Sequence, residues 1–427
     1  MINKKNWEAI YRIVSSLPVF SDHDHHLYDN FFTAGMTLDK ALEHTCVSWM
    51  GYVPDGSEDS RRSLLENARF NSYFTWFERG VQTVHGFNEP ITMESWERIS
   101  RRIHDNYEKD PDFHWKSLKE NGFEKLVLDT YWNPGEDNGH EEVFIPTFRI
   151  DKFMHGFHAD SVANVKHVFH ADPVAPVDFI DFTPFIPWER YGFSGGSLDD
   201  YVELMRTVII KRYRAGKLVA FKCGEAYFRP ISFLPDDREE AEKAFGLHPD
   251  IISEQQKILF GNYIFNRCCE LAEELNVPIQ IHTGLAELSG SKPIYLEPII
   301  ARYSKIRFIL FHSGYPWIHE ISGLAHNYRN AYPSLTWTPT ICTSAAVRAL
   351  NDYIDVTPSI NTITWGSDCW VPEDSIGAML AWRYVVTTVL EERFSSSRLR
   401  QNDIEILARK LMYENGRSIY LNSIHKK

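Results

Sequence analysis

The chain has 427 residues, 43% of them apolar and 24% charged, a globular composition that excludes disorder over most of its length. It carries 45 Lys and Arg against 58 Asp and Glu, and a formal net charge of −13 repels phosphate backbones and anionic lipids, so we expect neither nucleic acid nor a membrane as a partner. No apolar run approaches the ~20 residues of a membrane-spanning helix, and the N-terminal stretch mixes charged residues into its apolar ones, so we predict a cytoplasmic protein.

The first predicted strand lies at residues 17–25 (LPVFSDHDH). The next stretch, rich in aromatic and charged residues, is far longer than an ordinary connection between a strand and a helix. We predict that residues 28–119 form a mostly helical insertion. It would serve as a lid or subunit contact at the mouth of a barrel, or as a helical layer that thickens the scaffold. The barrel would consist of residues 1–27 and 120–427.

From about residue 120 onward, short apolar runs alternate with longer amphipathic stretches, the pattern of repeated βα units around a parallel sheet. With the first strand these runs give eight strands, the third placed at either 144–151 or 177–185. We therefore predict an α/β fold, a (β/α)8 barrel with the insertion after strand 1. The other runs are KLVLDTY (125–131), LVAFKCG (218–224), PIQIHTG (278–284), RFILFHSG (307–314), LTWTPT (335–340) and TITWGSD (362–368).

The six cysteines contain no CxxC pair and no regular spacing, which argues against a zinc ribbon or a disulfide framework. We expect them to be reduced, and we expect Cys223 and Cys369 to act as small apolar fillers at strand ends. The six cysteines are Cys46, Cys223, Cys268, Cys269, Cys342 and Cys369.

Ionisable residues end several of the predicted strands, at the edge where parallel barrels keep their active sites. His23 and His25 are two residues apart, so their imidazoles point to the same side and can reach one ion. His282 and His312 end two strongly apolar strands, and Asp368 ends the last one. An HxH pair alone is a weak indication, and a single histidine at a strand end is as often structural. Together, however, these positions indicate a metal site.

This order of HxH, His, His and Asp resembles that of the amidohydrolase superfamily, whose members are metal-dependent TIM barrels. Further motifs resemble its amidohydrolase-2 branch, especially the amidohydrolase-like domain that is fused to glutamine synthetase in FluG-type proteins. The resemblance covers about residues 17–27 and 210–420 and leaves out the insertion. The motifs are FKCGEAYFR (221–229), IQIHTGL (279–285), FHSGYPW (311–317) and GSDCWVPE (366–373).

The resemblance implies that His23, His25 and His282 bind a divalent metal, for which we expect Zn²⁺, as one ion or two. Asp368 would be a further ligand, or the base that takes a proton from water whose pKa the ion lowers to about 7. His312 would be the second-site ligand of two-metal members or the acid/base residue of one-metal members.

Lys222 follows the predicted fourth strand and has several possible roles. In two-metal members of the superfamily a lysine at this strand is carbamylated and bridges the ions. An unmodified ammonium would instead pair with a substrate carboxylate and help His312 to stabilise an oxyanion, and a lysine that merely extends from a strand end is the third possibility. We expect further substrate contacts from Tyr227, Arg229, Tyr315, Trp317 and Trp370.

We therefore predict a metal-dependent hydrolase of the amidohydrolase type that cleaves a C–N, ester or lactone bond in a small polar, carboxylate-bearing substrate. A decarboxylase or an enzyme like a uronate isomerase would use the same ligands, so both stay open. A non-catalytic, metal-stabilised binding module is the alternative of another class. We also expect a homo-oligomer, from the acidic surface and the aromatic insertion.

Overall fold

The structure is a computed structural model that describes residues 3–163 and 184–421. Its strands form from short runs of apolar residues, which suit a pleated, buried surface. Neighbouring strands run parallel, in the orders β1-β2-β3 and β4-β5-β6-β7-β8. Within the described residues the strands are β1 (Val19–Asp24), β2 (Phe123–Leu128), β3 (Phe144–Pro146), β4 (Phe148–Arg149), β5 (Phe221–Cys223), β6 (Ile279–Ile281), β7 (Phe308–Leu310) and β8 (Ala331–Pro333).

The two groups of strands form one closed barrel. β3 and β4 are separated by a single residue and act as one barrel strand, which pairs with β2 on one side and β5 on the other. Residues 363–368 supply the eighth strand. The Thr364 amide donates to the Pro333 carbonyl of β8 at 3.1 Å, and the Asp22 amide of β1 donates to the Trp365 carbonyl at 2.9 Å. The predicted (β/α)8 barrel is therefore confirmed.

One predicted strand lies in a different place from the observed one. We expected a strand at 335–340, but β8 ends at Pro333 and a helix begins at Thr338. Trp337 has a left-handed backbone (φ 62°), which ends the extended conformation, and Pro339 is favourable in the first turn of a helix. The prediction was wrong because an aromatic and threonine-rich run suits a strand by composition alone.

The third barrel strand lies at the first of its two predicted positions. Residues 144–151 contain β3 and β4. The alternative, residues 177–185, lies largely outside the described residues.

Helices surround the barrel and fill the segment between β1 and β2. Of the helices in residues 3–163 and 184–421, none has both the length and the apolar character needed to cross a bilayer. The α-helices are α1 (Lys4–Ser16), α2 (Asp29–Thr33), α3 (Leu38–Glu43), α4 (Glu58–Ala68), α5 (Ser72–His85), α6 (Trp96–Lys109), α7 (Phe113–Glu120), α8 (Pro187–Tyr191), α9 (Leu198–Arg214), α10 (Arg238–Ala244), α11 (Glu254–Leu275), α12 (Glu297–Arg302), α13 (Ile318–Asn327), α14 (Thr338–Ile341), α15 (Thr343–Val356), α16 (Pro372–Ser395), α17 (Ile404–Arg409) and α18 (Asn415–Leu421). Single turns of 3₁₀-helix lie at Cys46–Met50, Asp151–His155, Glu225–Tyr227, Pro293–Leu296, Phe311–Gly314, Ile360–Thr362 and Gln401–Asp403, and a π-helical turn lies at Lys410–Glu414.

The insertion between β1 and β2 is mostly helical, as predicted, and contains α2 to α7. It contacts the barrel where α5 crosses α16. At this crossing Gly80 of α5 lies against the backbone of α16, and Gly377 of α16 lies against the backbone of α5. A Cβ added at Gly80 would lie 1.9 Å from the Glu373 carbonyl oxygen, and one at Gly377 would lie 2.4 Å from the Trp76 carbonyl oxygen. The two helix backbones can approach this closely only because neither glycine has a side chain.

We predict that Gly80→Ala lowers the free energy of unfolding by about 1–3 kcal/mol, because the added methyl group overlaps the backbone of α16. Gly323→Ala is the matched control. Gly323 lies in α13 with no neighbouring atom within 4 Å of its Cβ position, so alanine there should leave stability unchanged or raise it by about 0.5–1 kcal/mol. Urea denaturation of both variants measures the difference, and equal stabilities would contradict the proposed crossing.

Candidate active site

A cavity of about 50 Å³ lies at the carboxyl ends of the strands, where the sequence places its ionisable strand ends. Barrel strands and the loops after them supply most of its walls, and Cys46 and Trp49 from the insertion complete them. The residues that line the cavity are His23, His25, Cys46, Trp49, Tyr131, Arg149, Lys152, Lys222, Tyr227, Phe228, His282, Trp337, Asp368 and Trp370.

His23 and His25 present their Nε2 atoms to one carboxylate oxygen. These atoms lie 3.4 Å and 3.2 Å, respectively, from Oδ1 of Asp368. Two ligand atoms that each bind a tetrahedral zinc ion at about 2.0–2.1 Å are themselves about 3.3 Å apart. Each imidazole nitrogen thus lies from Asp368 Oδ1 at about the separation of two ligands of one divalent ion, and imidazole and carboxylate groups have the chemistry that the predicted metal requires.

Hydrogen bonds from the barrel backbone orient these ligands. His25 Nδ1 lies 2.8 Å from the Asp129 carbonyl oxygen, and an N–H donated there leaves the lone pair of Nε2 directed at the site. The Asp368 amide donates to the His23 carbonyl at 2.9 Å. Asp368 has a left-handed backbone (φ 63°), which aspartate tolerates better than most residues. The indole of Trp370 stacks on the His25 ring at 5.0 Å between ring centres.

Asp129, directly after β2, is a second carboxylate at this site. Its Oδ2 lies 3.8 Å from His23 Nε2 and 3.9 Å from His25 Nδ1, and Arg149 Nε donates to the same oxygen at 2.9 Å. Burial raises the pKa of the Asp129 carboxyl, but Arg149, His25 and Lys222 together outweigh burial and hold this pKa below its usual value. Asp129 is therefore ionised at neutral pH. Ligand atoms of His23, His25 and Asp129 all lie within 4.8 Å of one another, so Asp129 is a further possible ligand.

Lys222, at the middle of β5, contacts the His23 imidazole, to which the proposed ion would also bind. Its Nζ lies 3.1 Å from His23 Nε2 and 4.1 Å from the centre of the Phe311 ring. Burial and the nearby Arg149 guanidinium lower the pKa of Lys222 to about 8. The lone pair of His23 Nε2 cannot accept a hydrogen bond from Lys222 and bind a metal at once. Binding of an ion at His23 therefore requires Lys222 to give up this contact.

His282 and His312 are hydrogen-bonded to each other; His282 lines the cavity, whereas His312 is not among its described lining residues. His312 Nε2 lies 2.9 Å from His282 Nδ1, while the outer nitrogens lie 3.2 Å and 2.7 Å from the carbonyl oxygens of Thr336 and Leu285. Burial lowers the pKa of both rings well below the usual value, and the charge of Lys222 adds to this effect. Two neutral imidazoles carry two protons for three contacts, so one of these contacts has no proton. The role of His282 as a metal ligand stays a prediction, because both of its nitrogens are engaged in these contacts.

The predicted substrate-binding residues separate into two groups. Tyr227 and Trp370 line the cavity, and the Tyr227 ring lies 4.4 Å from that of His282, between ring centres. Arg229 is not among the described residues that line the cavity. Its guanidinium donates instead to Asn262 Oδ1 and to the Ser232 carbonyl oxygen at 2.9 Å, so its donors stabilise the loop after β5.

Tyr315 and Trp317 are likewise absent from the described lining of the cavity. The backbone turns sharply just before them, because His312, Ser313 and Gly314 all have positive φ angles. This turn keeps His312 at the site and directs the following residues outward, where Trp317 packs beside the Lys292 ammonium.

Three charged residues at the site were not selected from the sequence, namely Asp129, Arg149 and Lys152. Asp129 ends the run KLVLDTY, and the criterion that selected Asp368 would also have selected it. Arg149 and Lys152 lie in and after the split third strand, whose position was left open, so no strand end marked them.

We predict that Asp368→Ala weakens Zn²⁺ binding to the metal-depleted protein by more than about 100-fold. Loss of a residue that only hydrogen-bonds to a metal ligand typically weakens binding by about 10- to 100-fold. The larger effect is expected because this change removes the oxygen that both imidazoles face. Asp352→Ala is the control, since Asp352 pairs on the surface with His319 and should leave the affinity unchanged. Competition with a chromophoric chelator measures both, and equal affinities would contradict the proposed ligand set.

Comparisons with known proteins agree with the motifs. Residues 202–392 match the family model described as Amidohydrolase. Protein fluG of Emericella nidulans is 35% identical to this chain over 98 residues, which make up 22% of this chain and 11% of that relative. The match thus spans about a tenth of the relative's own length.

Solved structures share the fold over nearly the whole chain. Uronate isomerase from Thermotoga maritima superposes with a TM-score of 0.74 at 15% identity and covers 98% of each chain. A candidate metal-dependent hydrolase from Lactobacillus casei superposes with a TM-score of 0.66 at 14% identity, over 98% of this chain and 99% of the other. Identities this low show a common fold alone. In sequence, the chain is similar to the amidohydrolase family over residues 202–392, and the resemblance that its motifs indicate is confirmed.

Proposed function

We propose that the protein is a metal-dependent hydrolase that cleaves a C–N, ester or lactone bond in a small carboxylate-bearing substrate. The observation that carries this proposal is the convergence of His23 and His25 Nε2 on Asp368 Oδ1, at 3.4 Å and 3.2 Å, in the wall of the cavity. The match of residues 202–392 to the amidohydrolase family supports the same chemistry. A bound divalent ion would supply an activated water and would polarise a substrate oxygen.

Asp368 and the histidine pair would move the proton. Oδ1 of Asp368 faces the metal-binding imidazoles, and Oδ2 lies 3.7 Å from His312 Nδ1. Burial holds the pKa of His312 well below its usual value, so His312 can take a proton from Asp368 only when its Nδ1 gives up the 3.2 Å contact with the Thr336 carbonyl oxygen. Because His312 is not among the described residues that line the cavity, the proton would return to the leaving group through Asp368, which does line it. Asp368 is thus the proposed base, and His312 is proposed to hold the proton behind it.

The charge of the cavity wall supports an anionic substrate. Arg149, Lys152 and Lys222 line the cavity, and among its described lining residues the carboxylate is that of Asp368. Arg149 is tied to Asp129 by its 2.9 Å ion pair. Lys222 loses its contact with His23 when an ion takes that lone pair, so we propose that its ammonium then pairs with the substrate carboxylate.

A uronate isomerase reaction is the second candidate. The likeness to the Thermotoga maritima uronate isomerase covers 98% of this chain, so it includes the segment of the insertion. A uronate also carries a carboxylate, which Lys222 could bind, and its isomerisation needs a group that moves a proton between neighbouring carbons, a role that Asp368 could fill. The two reactions differ in one respect, the consumption of water.

Mass spectrometry distinguishes the two reactions directly. We predict that the Zn²⁺-loaded protein, incubated with amides and lactones of small carboxylic acids, yields products whose combined mass exceeds that of the substrate by one water. Metal removal should abolish this turnover. Conversion of a hexuronate to a product of unchanged mass would favour the isomerase, and full activity after complete metal removal would contradict both. Bound metal without turnover across the panel would favour the non-catalytic alternative.

We further predict that Lys222→Met raises KM for a carboxylate-bearing substrate by about 10- to 100-fold, the range expected for loss of one charge-assisted hydrogen bond. The same variant should have an almost unchanged KM for an analogue whose carboxylate is replaced by a neutral amide. Steady-state kinetics on this substrate pair tests the role of Lys222. Equal effects on both substrates would contradict it and would indicate instead a lysine that supports the metal.

A further inference from the structure

A second cluster of metal-binding side chains lies apart from the cavity, where the insertion meets the barrel. It consists of Asp29, the first residue of α2, His114 in α7, and His140 between β2 and β3. One ligand atom of each residue lies within 4.8 Å of the other two. The cavity described above contains none of the three among its lining residues. The cluster is therefore independent of the proposed active site.

Both histidines direct their Nε2 atoms at the same oxygen. His140 Nε2 lies 2.7 Å and His114 Nε2 3.4 Å from Oδ1 of Asp29. Ligand atoms of one tetrahedral zinc ion are about 3.3 Å apart, so an ion would need only a small outward movement of Asp29. Asp29 is able to move, because its side chain is 55% exposed.

His114 is the feature that points to a ligand. The residue is fully buried. Its Nε2, which faces Asp29 Oδ1 at 3.4 Å, makes no hydrogen bond within the described structure, and the ring has a further polar contact with the Pro111 backbone. A buried polar atom without a hydrogen bond costs about 1–3 kcal/mol, so such atoms in folded proteins usually have a partner. Stacking on Phe32, at 4.3 Å between ring centres, fixes the imidazole plane and directs Nε2 toward Asp29.

His140 is held in a comparable way. Its ring stacks on Trp115 at 5.3 Å between ring centres, and its side chain is 12% exposed. The two imidazoles lie edge to face, 5.1 Å apart between ring centres. Ring packing thus positions two nitrogen donors rigidly, while the carboxylate on the solvent side can adjust.

We propose that Asp29, His114 and His140 form a second site for a divalent cation of the zinc type. Two imidazoles and one carboxylate are ligands that Zn²⁺ and neighbouring first-row transition metals prefer. Mg²⁺ prefers oxygen ligands alone and would bind poorly here. The exposed side of Asp29 leaves the fourth position to water. The ion would join α2 and α7 of the insertion to the segment between β2 and β3, so its role is structural.

Metal analysis of the full chain tests this site. Metal-depleted protein is dialysed against Zn²⁺ alone, and bound zinc per chain is measured together with the Zn²⁺-dependent rise in Tm. We predict that Asp29→Asn and His140→Asn each bind one ion fewer per chain than the wild type and lose part of the rise in Tm. Because Asp29 is exposed, Asp29→Asn should fold normally, and circular dichroism checks this.

Two controls separate this site from the proposed active site. Asp368→Ala should retain the ion at Asp29, and His104→Gln should bind as much zinc as the wild type, since His104 is an exposed residue of α6 that pairs with Glu108. If Asp29→Asn and His140→Asn bind as much zinc as the wild type, the proposal is wrong and Asp29 is only a hydrogen-bond partner of His140. Loss of zinc in Asp29→Asn but not in Asp368→Ala would support this site even if the active-site proposal fails.

Discussion

The junction of the first and last barrel strands is the constraint on which the rest of the structure depends. His23 and Asp368 lie near opposite ends of the chain, yet the Asp368 amide donates to the His23 carbonyl at 2.9 Å. Gly366 makes this approach possible, because a Cβ there would lie 2.6 Å from the His23 amide nitrogen. Metal ligands need placement to within about 0.5 Å, and a backbone hydrogen bond between two ligand-bearing strands provides it. Closure of the barrel and assembly of the site are thus one event.

A buried polar layer beneath the site supports this junction without adding charge to it. Asp24 forms 2.5 Å hydrogen bonds with the hydroxyls of Ser21 and Ser367, one from each of the joined strands. Burial raises the pKa of Asp24 to about 8, so this carboxyl is neutral at pH 7 and does not repel the nearby Asp368. Its contribution to stability is complete below the ordinary carboxyl pKa and is lost as the pH rises toward 8. Asp368 is therefore the carboxylate of this junction that is available to an ion.

The site residues that could be predicted from the sequence are those that lie at the carboxyl ends of strands. A parallel barrel gathers the carboxyl ends of its strands, so His23 and Asp368 could be placed together from local patterns alone, and Asp129 could have been added by the same rule. Arg229 was selected for its position after a strand, but Asn262 of α11 binds its guanidinium, and a contact between distant segments leaves no local signal. The position of Cys46 in the cavity wall could not be predicted from the sequence either, because it depends on how the insertion docks on the barrel.

The insertion docks through the same segment that carries Asp368. Just beyond this residue, α16 begins with two buried acidic side chains. Asp374 accepts a hydrogen bond from the Cys46 amide at 3.1 Å, and Glu373 Oε1 lies 2.9 Å from His85 Nε2. Both partners belong to the insertion, and Cys46 itself lines the cavity. A displacement of the insertion would therefore pull on the start of α16, only a few residues from the proposed base. Because the cavity wall and the proposed metal ligand Asp368 share one short segment, the shape of the cavity and the position of this ligand depend on each other.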